Sequence, residues 1–137
     1  MISHRMFSDG AHGALIDGAV AMHHKIDLIH ARRIKYLLDQ LAAVDTPQGK
    51  LIDQGFVGWT NQVAVGSHEY YPIPWIIAGG AQGSLRTGQY LDVGRVTANK
   101  LLNTLLGAAG VRKTSGEPVD DFGSHDTPGG VISAMIA

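Results

Sequence analysis

The chain has 137 residues, of which 45% are hydrophobic and 17% are charged, and its formal net charge is −1. This length and balance are typical of one folded domain with a sizeable core. The sequence contains no cysteine, which excludes disulfides and thiolate metal sites. A nearly neutral chain without a basic tail is not expected to bind nucleic acid, and no stretch approaches the ~20 apolar residues of a membrane span.

The first predicted element is a long helix from about Asp17 to Val44. Its apolar residues recur on one stripe at about 100° per residue, so we expect this stripe to face the core. Asp17 is the expected N-cap, and residues 45–49, with Pro47 and Gly49, are expected to end the helix. The residues of the predicted stripe are Ile26, Ile34, Leu37, Leu38, Leu41 and Val44.

Two strands are predicted next. Residues 56–60 favour a strand because they include aromatic and β-branched side chains. Residues 73–78 predict a fully buried strand, since apolar residues occupy both of its faces. Residues 79–83 are expected to form a turn and residues 85–91 a short hairpin arm.

A second helix is predicted from Thr97 to about Ala109, with Thr97 as its N-cap and Gly110 as its stop. Its leucines, at 101, 102, 105 and 106, are expected to form the buried side. The remaining tail should be a long loop with a turn of helix near residues 132–136. The order of helix, strands, hairpin and helix predicts the α/β class and suits part of an α/β sandwich.

Histidines and carboxylates mark two candidate functional sites. His23, Asp27 and His30 are spaced i, i+4, i+7, which places them within about 60° of one another on the first helix. Imidazole and carboxylate are natural Zn²⁺ ligands, so these three residues predict either a metal site or a set of hydrogen-bonded structural side chains. Asp9 and His12 lie in a glycine-flanked loop before that helix, and that loop is either functional or a solvated turn.

A further candidate is His68, which precedes the second strand and is therefore expected at the end of a sheet. Asn61 and Gln62 follow the first strand and offer neutral polar groups beside it. The glycines of residues 79–83 lack the spacing and the lysine of a phosphate-binding loop. No nucleophile elbow is present in the sequence.

Several segments, taken in order, resemble one family. They are HHKID at 23–27 with YLLDQL at 36–41, SH at 67–68 with PWIIAGG at 74–80, LRTGQYL at 85–91, NKLLNTLL at 99–106 and DDFG at 120–123. They are similar to the C-terminal end of an uncharacterised family of exported bacterial proteins, domain of unknown function one-five-five-two, which is distantly related to sulfatases and alkaline phosphatases. The resemblance covers nearly the whole chain. It implies the C-terminal part of an alkaline-phosphatase-like α/β/α sandwich, and hence a single domain or a fragment over residues 1–137.

The same resemblance implies where a divalent metal (Zn, Ca or Mn) would bind, namely at Asp9, His12 and His68. This sequence departs from the pattern at Asn61 and Gln62, which stand where a metal-binding Asp and His are expected. Neutral amides are poor Zn²⁺ ligands. In the wider superfamily of sulfatases and alkaline phosphatases, the nucleophile and the first metal-binding Asp belong to an upstream part of the fold that has no counterpart here.

Two functions are therefore expected. The first is a non-catalytic or incomplete component that serves as a structural or accessory subunit of a larger assembly. The second is the tail of a metal-dependent phosphatase-like or sulfatase-like hydrolase whose nucleophile lies in a missing N-terminal part. Both imply other protein chains or a missing segment as partners. The family implies a periplasmic or secreted location, although this sequence carries no signal peptide.

Overall fold

A computed structural model of the chain describes residues 16–64, 68–122 and 129–137. It contains both helices and short strands, so the predicted mixed α/β class is confirmed. The helices are α1 (Ala19–Ala43), α2 (Leu51–Gln54) and α3 (Ala98–Ala108), and the strands are β1 (Asp45–Thr46), β2 (Gly49–Lys50), β3 (Val57–Thr60) and β4 (Trp75–Ala78). The chain divides into two compact units. The first unit comprises Met1–Gln40 and Trp59–Ile76, and the second unit comprises Leu41–Gly58 and Ile77–Ala137.

Helix α1 confirms the long helix predicted from the apolar spacing. Gly18, with φ +75°, occupies the position before the first helical residue, so the expected cap at Asp17 is wrong by one residue. The carbonyl of Gly18 accepts a hydrogen bond of 3.0 Å from the Met22 amide. A left-handed glycine enters this turn without the steric penalty that a Cβ would bring.

The segment that ends α1 is a small hairpin, which was expected only as a helix stop. Strands β1 and β2 pair antiparallel, with Asp45 opposite Lys50 and Thr46 opposite Gly49. The Lys50 ammonium lies 2.6 Å from the Asp45 carboxylate, and the Thr46 hydroxyl donates to the Gly49 carbonyl at 2.7 Å. These contacts stabilise a two-residue turn that Pro47 begins.

The predicted core stripe of α1 is only partly correct. Ile34, Leu38 and Leu41 are half-buried, but Ile26, Leu37 and Val44 are exposed. The six side chains spread over about 120° of the helix circumference, and the half-buried residues occupy only one side of that spread. Periodicity thus identified the helix but gave too wide a buried face.

Strands β3 and β4 confirm the two predicted strands and pair with each other. The expectation that the second strand is fully buried is wrong, because Trp75 and Ile76 are exposed and Ile77 and Ala78 are half-buried. In the described residues this sheet has two strands. A two-stranded sheet has no interior strand whose faces other layers could cover.

Helix α3 confirms the second predicted helix and carries much of the core of its unit. Leu101 and Leu105 are buried, while Leu102 and Leu106 are half-buried. Gly110, with φ +79°, follows the helix as expected. The buried core cluster consists of Ala81, Leu85, Leu101, Leu105 and Ile132.

The C-terminal tail returns to this core. A 3-10 helix at Ser133–Met135 confirms the predicted turn of helix. Leu85 forms an antiparallel bridge with Ile136, and the Arg86 amide donates to the Met135 carbonyl at 2.9 Å. The hairpin arm expected at residues 85–91 is therefore wrong, because the pairing partner of Leu85 comes from the far end of the chain.

Among the described residues, no helix combines the length and the apolar character that crossing a bilayer requires.

Candidate functional site

Two of the three helical candidates are in contact. His23 and Asp27 meet one turn apart on α1, with 3.2 Å between His23 Nδ1 and Asp27 Oδ2. This contact follows from the i, i+4 spacing, which places the two side chains on one face. His30 is an exposed residue of the same helix. Within residues 16–64, 68–122 and 129–137, no three His, Asp or Glu side chains are grouped closely enough to hold a metal ion.

The loop candidates Asp9 and His12 lie outside the described residues, so their proximity to other groups stays a prediction. His68 is exposed and has φ 64°, in the left-handed region. A non-glycine residue in that region is uncommon, although histidine is enriched there. The Ala64 amide donates to the Glu69 carbonyl at 2.7 Å.

The end of β3 is fixed by a side-chain hydrogen bond. The Thr60 hydroxyl donates to the Pro74 carbonyl at 2.9 Å, just before β4 begins. Asn61 and Gln62 follow as exposed residues. Their amides present donors and acceptors to solvent, and they supply no carboxylate or imidazole at the positions where the resemblance implies metal ligands.

The second unit has a shallow hollow of about 440 Å³, and most of its side chains are polar. The residues that line it are Gln48, Asp53, Gln54, Gly80, Gln82, Gly83, Leu85 and Thr87. They include one carboxylate, three side-chain amides and a hydroxyl, but no histidine and no cation. This set can hydrogen-bond water or a neutral polar molecule.

A strained turn forms one wall of that hollow. Ala81 and Gln82 have φ values of 45° and 55°, although neither is glycine. The Ala81 amide donates to the Gly55 carbonyl at 3.0 Å, and the Gln82 amide donates to the Asp53 carbonyl at 2.7 Å. These bonds satisfy carbonyls at the end of α2 and stabilise the turn against its local strain. The predicted turn at residues 79–83 is thus confirmed, in a structural role.

Buried polar side chains of α3 also have a structural role that the sequence did not reveal. Asn103 is fully buried, and its Nδ2 donates to the Gly130 carbonyl at 3.0 Å. The Thr104 hydroxyl donates to Lys100 O at 2.7 Å and accepts from the Ile132 amide at 2.8 Å. Buried polar groups normally find such partners. Here they attach the C-terminal tail to the helix.

A row of exposed side chains on α1, which we call the α1 stripe, is the other candidate site. It comprises Met22, Ile26, Ile29, Arg33, Tyr36 and Leu37. Each of the five apolar members is more than a third exposed, and Tyr36 reaches 66%. Scattered apolar residues are normal on a protein surface, but a contiguous row is typical of an interaction surface.

The sequence could have revealed the α1 stripe only in part. Ile26 and Leu37 were assigned to the core-facing stripe, while Met22, Ile29 and Tyr36 belong to a second apolar row beside it. A helix with apolar residues on so much of its circumference has more apolar surface than one contact face can cover.

Comparisons with protein-family models, with curated proteins and with solved structures find no match to this chain.

Proposed function

We propose that this chain is a structural or accessory component of a larger assembly and has no complete catalytic site of its own. In this proposal it is built as the C-terminal part of an alkaline-phosphatase-like α/β/α sandwich, as the sequence resemblance implies. The observation that carries the proposal is the α1 stripe. Its apolar side chains face solvent on a folded helix, and covering them with another chain would be favourable.

The sheet of β3 and β4 supports the same proposal. Trp75 and Ile76 expose apolar surface on β4, although a strand of this composition normally packs between layers. Short sheets with open edges are templates for pairing with another chain. A partner that covers β4 would give these side chains the burial that their sequence predicts.

The test is a matched pair of substitutions, Ile29→Gln and Ile132→Gln, read by urea unfolding and by binding of an anilinonaphthalene sulfonate dye. Ile29 is 47% exposed and Ile132 is 8% exposed. We expect Ile29→Gln to change the free energy of unfolding by less than ~0.5 kcal/mol and to lower dye binding. Ile132→Gln should cost about 2–4 kcal/mol, because it places an amide in the core.

A folded wild-type chain that binds no dye would contradict the proposal. So would an Ile29→Gln variant as unstable as Ile132→Gln, because Ile29 would then be part of the core. Near-ultraviolet circular dichroism of the wild type supplies the control that tertiary packing is intact.

A second candidate is the tail of a metal-dependent hydrolase, and the observation that favours it is the left-handed conformation of His68. Unusual backbone conformations are enriched at functional sites. Calorimetric titration of the chain with Zn²⁺, Mn²⁺ and Ca²⁺ tests this role. The hydrolase role predicts that at least one of these metal ions binds and that His68→Ala weakens the binding. Heats of dilution alone in all three titrations would contradict this role.

A further inference from the structure

The α1 stripe has the spacing of a helix-binding seam. Met22, Ile26, Ile29, Arg33 and Tyr36 follow one another at steps of four, three, four and three residues. That alternation averages 3.5 residues and keeps the side chains within about 80° of one another over about 22 Å of helix. Leu37 widens the row at its C-terminal end.

The stripe lies on a different side of α1 from the half-buried residues. The half-buried residues of α1 between positions 22 and 38 are His23, Ala31, Ile34 and Leu38. Their directions lie about 100° or more from the centre of the stripe. The half-buried side of α1 thus does not include the stripe, whose apolar members are each more than a third exposed.

Unpaired positive charge accompanies the stripe. Helix α1 has four lysines and arginines but two aspartates. Both aspartates are already in contact with residues of α1, since Asp27 meets His23 at 3.2 Å and Asp39 meets Lys35 at 2.6 Å.

The other three cations are Lys25, Arg32 and Arg33, and in the described part of the chain they form no ion pair. Arg33 lies within the stripe, and Lys25 and Arg32 lie along one side of it.

We propose that the α1 stripe binds an amphipathic helix of another protein whose apolar face is flanked by carboxylates. This inference rests on the proposed accessory role and names the chemistry of the partner. The heptad-like spacing favours a helical partner, because the apolar side chains of a facing helix can pack against such a row. The cations favour a partner with carboxylates beside its apolar face, because an arginine within an apolar contact needs a carboxylate to offset its desolvation.

A second copy of this chain fits the stripe less well. It would present the same three cations, and the carboxylates of its α1 are already paired. Like charges across a helix contact are destabilising. A lipid surface is also disfavoured, because Arg33 lies among the apolar side chains rather than on a polar face.

The experiment compares two labelled peptides of about three heptads, identical in their apolar seam, with either glutamates or lysines at the flanking positions. Fluorescence anisotropy measures their binding to the full chain at low and high salt. We expect the glutamate peptide to bind at least about tenfold more tightly at low salt. We also expect added salt to reduce this preference.

Arg33→Gln and Lys35→Gln form the matched pair of variants, since each removes one cation from α1 but only Arg33 belongs to the stripe. Arg33→Gln should weaken binding of the glutamate peptide several-fold, and Lys35→Gln should leave it unchanged. Far-ultraviolet circular dichroism of both variants confirms that the helix is retained.

Three results would overturn the proposal. In the first, neither peptide binds, or both bind equally. In the second, the chain prefers vesicles of phosphatidylserine and phosphatidylcholine to the glutamate peptide. In the third, sedimentation shows a dimer that Ile29→Gln dissociates, which would assign the stripe to a second copy. Any of these can occur while dye binding and the Ile29→Gln stability result still support the accessory role, so the two proposals fail separately.

Discussion

Replacing Thr104 by valine should measure how strongly the C-terminal tail is attached to α3. Thr104 is 2% exposed, and its hydroxyl accepts from the Ile132 amide at 2.8 Å. Valine has nearly the same shape but no acceptor, so the Ile132 amide would be left buried and unpaired. An orphaned buried donor costs about 1–3 kcal/mol, and we expect a loss of about 2 kcal/mol in the free energy of unfolding.

Two assays report this loss. Urea unfolding followed by far-ultraviolet circular dichroism should show a lower midpoint with an unchanged slope. Hydrogen exchange of the Ile132 amide should speed up by roughly 30-fold, which is the factor that corresponds to about 2 kcal/mol. Tryptophan fluorescence is less suitable, because Trp59 and Trp75 belong to the other unit.

Thr97→Val is the matched control on the same helix. Thr97 is the N-cap of α3, but its side chain makes no capping hydrogen bond, and its hydroxyl oxygen is buried without a partner among the described residues. Removing an unpaired hydroxyl should be neutral or stabilising. The reasoning is refuted if Thr104→Val is as stable as Thr97→Val, or if the exchange of the Ile132 amide does not change.

Two further predictions concern the second unit. Gly79→Ala should destabilise the fold by more than ~1 kcal/mol. Gly79 has φ +105°, and an added Cβ would meet the backbone oxygens of Gly55 and Ile52, the latter at 2.8 Å. Thermal unfolding measures this loss, and an unchanged melting temperature would contradict it. The hydrogen bond from Lys113 holds the pKa of Asp120 below its ordinary 3.8, so the stabilisation from this pair is present above about pH 4 and is lost as the pH falls through the lowered pKa. The wild type should therefore be slightly more stable than Asp120→Asn at neutral pH and equally stable in strong acid. The effect is small because both groups face solvent. A stability difference that persists in acid would show that the ion pair is not its cause.

The helices and the main strands could be predicted from local patterns. Apolar spacing predicts α1 and α3, and aromatic and β-branched residues predict β3. Their ends also follow local rules, since Gly110 takes the left-handed conformation that ends α3.

Contacts between distant parts of the chain could not be predicted in this way. The bridge from Leu85 to Ile136 and the bond from Thr104 to Ile132 depend on tertiary packing. Asn103 appears in the sequence as an ordinary polar residue of a helix, and only the return of the tail explains its burial.

The candidate sites show the same division. The i, i+4 contact of His23 and Asp27 follows from helix geometry and was predicted. The exposure of the α1 stripe and of Trp75 was not predicted, because an apolar pattern shows which face seeks burial but does not show what covers it. In the proposed role, another chain provides that cover.

The most direct test of the accessory role is native mass spectrometry of the chain isolated without denaturant from its source cells, with metal analysis of the same sample. The account predicts a stoichiometric complex with another chain, heavier than the 14.6 kDa of this one. Hydrogen exchange in residues 22–37 should rise when the complex is dissociated. A lone polypeptide with stoichiometric divalent metal and the same exchange in those residues would contradict the account and favour the hydrolase.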